Sequence, residues 1–171
     1  MINFTDIEKT LNRLEREYNS CSDTQLSILY SKSAVLELCG WIETSIDTLL
    51  KEYIDDNICD DNNKKLINGI IDRNYGFKFK EHIFPMLCSV LGISNVENIL
   101  DSIPDKDMQN LKTLLGNYAK IRDVAAHNNV VISTTPRYNA PSSVLHDYSL
   151  IKPAIQLMEN KIKRIKVLYI T

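Results

Sequence analysis

From Thr24 to Ile58 the chain runs without a proline and with a single glycine, Gly40. Ile28, Val35, Cys39, Ile42, Ile46, Leu49 and Tyr53 recur along it in steps of three, four or seven. That period places them on one face of an α-helix, and no strand can use it. A helix of this length needs partners along its whole face, so the rest of the chain must supply other helices. Five glycines and five prolines in 171 residues suit such a fold better than a turn-rich β-architecture.

The other segments agree. A first helix is expected after Thr5 as N-cap, with Ile7, Leu11, Leu14 and Tyr18 on one face. "NSCSD" separates it from the long helix, and "CDDNN" ends the latter. A third helical stretch covers about 63–71, and "RNYGFKF" reads as a loop. Another helix covers about 80–91, with Pro85 early in it and Gly92 ending it. A short helix starts at Ser94. A longer one opens near Asp105, with Met108, Leu111, Leu115, Tyr118 and Ile121 as its stripe.

Asn128 and Asn129 suit a left-handed C-cap for that helix. A long polar loop is expected over 128–148, with a short extended piece at Val130 to Ser133. The last helix is read as Ser149 to Tyr169, with Pro153 in its first turn and a basic end, "KIKRIK". The chain has no internal repeat, and 1–171 reads as one helical domain.

A net charge of −2 and a pI near 5.9 give no global footprint for nucleic acid, so any RNA would be engaged locally. No apolar run reaches the length of a membrane span, and the first residues lack a signal-peptide pattern, so a cytoplasmic protein without a membrane partner is expected. Cys21, Cys39, Cys59 and Cys88 form no C-x-x-C pair. With His82, His127 and His146 they show no zinc spacing, so neither a metal nor another cofactor is expected. Cys39 and Cys88 read as small core residues.

The chemistry-bearing stretch is "AKIRDVAAHNNVV", residues 119 to 131. Residues five apart on a helix are separated by about 140° of arc, so Arg122 and His127 do not share a face. Asp123 and His127 are four apart and are neighbours. A carboxylate there orients an imidazole and raises its basicity. Gly116, Ala119, Ala125 and Ala126 leave little bulk nearby, so that another helix or a ligand can approach closely. The competing reading is a helix C-terminus decorated with cations that suit its dipole.

Arg122-Asp123-Val124-Ala125-Ala126-His127 resembles the arginine–polar–three residues–histidine signature of the HEPN superfamily. A long early helix with Trp41-Ile42-Glu43, a loop after the histidine and a closing helix fit the same pattern. The resemblance implies an all-α, HEPN-like up-and-down bundle of five to six helices. It also implies a metal-independent endoribonuclease, built as a homodimer with a composite site and using the RNA 2′-hydroxyl as nucleophile. His127 would move protons, Arg122 would stabilise charge on the phosphate, and Asp123 would orient His127. A toxin or abortive-infection defence effector is the implied setting, with a cognate antitoxin or sensor as partner. One toxin subfamily carries a tyrosine two residues after the histidine, where this chain has Asn129.

Other candidates are weaker. Glu43 is read as an acid near the active arginine or as a solvated carboxylate. Asn128, Arg137 and Tyr138 are candidates for RNA contact, Arg137 holding phosphate and Tyr138 stacking a base. Trp41 is read as core or dimer interface, and His82 and His146 as structural or exposed. The alternative function is a non-catalytic helical module that binds a protein partner or a nucleotide.

Overall fold

The computed structural model describes residues 1–130 and 138–165. Its elements are α1 (Phe4–Ser20), α2 (Thr24–Asn57), α3 (Asp61–Asp72), a π turn (Phe79–Ile83) running into α4 (Phe84–Leu91), α5 (Ile93–Asp101), α6 (Asp105–His127) and α7 (Pro141–Ile162). All regular structure among the described residues is helical. The count is seven rather than five to six. Gly92, at φ +79°, ends α4 and opens α5 at once, so these short pieces are separate helices.

Side-chain caps set several starts. Asp23 accepts from the backbone N–H of Gln25 and Leu26, and Asp60 accepts from those of Asn62 and Asn63. Asn3 caps α1 by accepting from Asp6 N–H at 3.0 Å, so the expected cap, Thr5, lies inside the helix. α6 runs from Asp105 to His127, as its pattern implies. α7 differs from expectation. It begins at Pro141, not Ser149, so residues 141–148 of the expected loop over 128–148 are helical. Pro141 sits in the first turn, where a missing N–H costs nothing, and Pro153 lies inside the helix rather than at its start. Most of the extended piece expected at Val130 to Ser133 lies outside the described residues.

α2 is the hub, packing against α1, α3, α6 and α7. It buries the expected stripe apart from Ile28, which is half-buried, and a second set on another side, Ala34, Leu38, Leu50 and Ile54. A helix apolar on more than one side belongs inside a protein. Buried side chains from all seven helices form one contiguous core. No helix among the described residues is long and apolar enough to cross a membrane.

Trp41 is partly buried and packs against this core. Its ring stacks edge-on with Phe4 at 5.6 Å and Tyr148 at 5.3 Å, and Nε1–H donates to Asn3 O at 3.0 Å, pinning α1, α2 and α7 together. Glu159, a buried carboxylate of α7, accepts from the Ile2 N–H at 2.9 Å and pairs with Lys163. One lysine of the basic C-terminal stretch is thus engaged within the fold.

The linker between α3 and the π turn passes through Gly76 at φ +136°. A Cβ there would sit 3.0 Å from the His82 ring. Gly76→Ala is therefore expected to cost about 1–3 kcal/mol through backbone strain and displacement of His82. Urea unfolding should show a lower midpoint at unchanged m.

Candidate active site

The C-terminal half of α6 carries the sequence constellation. Arg122 is half-buried in the seam with α2, and its Nη2 donates to Glu43 Oε1 at 3.2 Å. Its Nε lies 3.5 Å from Asp123 Oδ1, without a hydrogen bond. The guanidinium carbon stands 5.8 Å from the centroid of Phe77. Nη1 makes no hydrogen bond among the described residues. Arg122 is thus held along one edge and free on another.

Below it lies Cys39, 1% exposed, with Sγ 3.9 Å from Tyr118 O. Burial pushes the Cys39 thiol up from 9.0 to about 12; Arg122 opposes the rise, while Glu43 and Asp123 add to it. The folded thiol stays neutral where an unfolded one ionises. Its contribution to stability is therefore complete below pH 9 and declines as pH rises towards 12. The stability gap between the wild type and Cys39→Ala is expected to narrow across that window in denaturant titrations.

His127 is the last residue of α6 and is exposed. Its side chain makes no hydrogen bond or ion pair among the described residues. The expected Asp123–His127 contact is not formed, because the Asp123 carboxylate lies against the nearer charge, Arg122 Nε, and is otherwise in solvent. Of the small residues, Ala119 and Ala125 face the core, leaving Gly116 and Ala126 towards the surface. Among the described residues, nothing beyond its own helix backbone comes within 4 Å of a Cβ built on Gly116.

Asn128 does not adopt the expected left-handed cap; its φ is −106° and ψ 131°. Its side chain instead donates to Val124 O at 2.8 Å, and its own carbonyl accepts from Lys32 Nζ at 2.7 Å. A cation from α2 thus ends α6 beside His127, where it suits the helix dipole. Lys32 has no local sequence signal, since its partner is 96 residues away.

Arg137 lies outside the described residues. Tyr138 is half-buried against the core, with its hydroxyl buried and unpaired among the described residues, and burial raises its pKa. Nearby, Tyr118 Oη donates to Asp147 Oδ2 at 2.9 Å, tying α6 to α7. Burial and Asp147 both push the Tyr118 hydroxyl up, so it remains a neutral donor. His82 is half-buried beside Gly76 and His146 is exposed.

The surface grooves between α1 and α2 and between α1 and α7 contain neither Arg122 nor His127. Among the described residues no group of three or more His, Cys, Asp or Glu side chains is placed to hold a metal ion. No protein-family model matches the chain, and no curated protein or solved structure matches it.

Proposed function

We propose that the protein is a metal-independent endoribonuclease of HEPN type, acting as a homodimer. The observation that carries this reading is the division of labour at the end of α6. Arg122 is oriented by Glu43 with Nη1 unused, while His127 stands unpaired on the exposed last turn. Arginine suits a phosphate whose charge grows in the transition state. An imidazole free in solvent suits proton transfer. Residues five apart on a helix lie about 140° of arc from each other, which favours a site completed by a second α6. Gly116, with open space over its Cα, supports a close approach.

In this reaction the 2′-hydroxyl attacks the adjacent phosphorus, the 5′-oxygen leaves, and His127 shuttles the proton. The products are a 2′,3′-cyclic phosphate and a 5′-hydroxyl. A toxin or defence effector in the cytoplasm, restrained by an antitoxin or a sensor, is the setting that the family resemblance suggests.

A second reading, a non-catalytic module that binds a protein partner, draws on a different observation. Two carboxylates, Glu43 and Asp123, already lie against Arg122, and Leu26, Leu29 and Val124 are exposed. The test is incubation of the wild type with single-stranded RNA in EDTA. Cleavage with cyclic phosphate ends is expected. Intact RNA, with and without added metal, together with harmless expression, would favour the binding module.

A further inference from the structure

Phe77 belongs to no motif and to no helix, yet it is 1% exposed. The turn at Gly76 carries it inward, through a backbone that L side chains rarely adopt. Its ring meets one structural cation, Arg122, with 5.8 Å between the centroid and the guanidinium carbon. That is within reach of the attraction between a cation and an aromatic face. Glu43, from α2, takes Nη2 at 3.2 Å. Three separate segments therefore converge on one side chain: α2, the linker after α3, and α6 itself.

Arg122 has reason to need such support. It sits near the end of α6 on a long side chain with many rotamers, and fixing one of them costs conformational entropy. A planar group braced by a ring and hydrogen-bonded along one edge loses most of its freedom to turn about its own axis. The edge left over is Nη1.

We propose that Phe77 is a positioning residue for Arg122: with Glu43 it fixes the guanidinium so that Nη1 is offered to a phosphate of the RNA. The proposal rests on the nuclease reading for its purpose, but not for its geometry. A ring buried only to fill the core would leave Arg122 to be ordered by Glu43 alone.

The experiment follows the Arg122 side chain by nuclear magnetic resonance, with its Nε–H signal assigned through Arg122→Lys. In the wild type, ring current from Phe77 should displace the Arg122 side-chain protons, and the Nε–H order parameter should lie near that of rigid backbone, about 0.85. In Phe77→Leu the displacement should vanish and the order parameter fall below about 0.6. RNA cleavage by that variant should lose about 10- to 100-fold in kcat, with KM changed much less. Undisplaced, mobile Arg122 protons in the wild type would overturn the proposal without any substitution, so the outcome stands even where Phe77→Leu does not fold. A folded Phe77→Leu with Arg122 as rigid as before would overturn it too. A wild type that cuts no RNA overturns the nuclease reading, and the resonance data then decide the hold of Phe77 on Arg122 by themselves.

Discussion

His127→Ala is expected to slow RNA cleavage by about 10²- to 10⁴-fold, the usual worth of a positioned general acid or base. The structure makes this substitution unusually clean. His127 is exposed and ends its helix, and its side chain makes no hydrogen bond or ion pair among the described residues. The cap of α6 does not depend on it, because the Asn128 side chain donates to Val124 O and Lys32 donates to Asn128 O. Stability should therefore stay within about 0.5 kcal/mol of the wild type. A loss of rate at unchanged unfolding midpoint is then chemistry and not folding. Cleavage that survives in His127→Ala would remove the histidine from the site.

Arg122→Ala is expected to be as inactive but less clean. It strands the half-buried Glu43 carboxylate without its partner. Arg122→Lys keeps the charge and loses the planar fork, so it separates the two effects. A lysine at 122 that restores most of the rate would mean that charge alone suffices, and would weaken the case for an oriented guanidinium.

What the sequence discloses about this molecule follows the range of the interactions. α2 is readable because its stripe repeats within a few residues, and α6 because Asp105 and His127 bracket an unbroken pattern. α7 shows how a local rule misleads. Pro141, Ser142, Ser143 and Pro153 read as loop and helix start, yet Val144, Tyr148, Ile151 and Ile155 already carry the helical step through that segment. Burial of those side chains outweighs the hydrogen bond that Pro153 cannot donate.

The site divides in the same way. Arg122, Asp123 and His127 are adjacent in sequence and visible as a pattern. Glu43, read either as an acid near the arginine or as a solvated carboxylate, lies 79 residues from the arginine it holds, and Lys32, without any such reading, lies 96 residues from the carbonyl it caps. Phe77 sits in a stretch that reads as a plain linker. No period or spacing encodes these contacts, because they exist only once α2 and α6 have packed. The pairing read from helix geometry, Asp123 with His127, fails for an electrostatic reason: Arg122 Nε is the nearer charge for that carboxylate.

Mixing Arg122→Ala with His127→Ala, each inactive alone, is expected to restore about a quarter of the wild-type cleavage rate. The arithmetic comes from two-fold symmetry. Random exchange makes about half of the dimers mixed, and a mixed dimer has one site with both groups intact, provided each site takes its arginine from one chain and its histidine from the other. The geometry within one chain supports that division. Arg122 is braced in the seam with α2, His127 stands in solvent at the helix end, and about 140° of helical arc separates them. If both groups of one site came from the same chain, mixing these two variants would leave every site lacking one of them and restore nothing. Recovery that rises with the fraction of mixed dimers, measured on RNA after co-refolding, would identify the second half of the site as another copy of this helix. A wild type that remains monomeric at assay concentrations while cleaving at full rate would rule the shared site out.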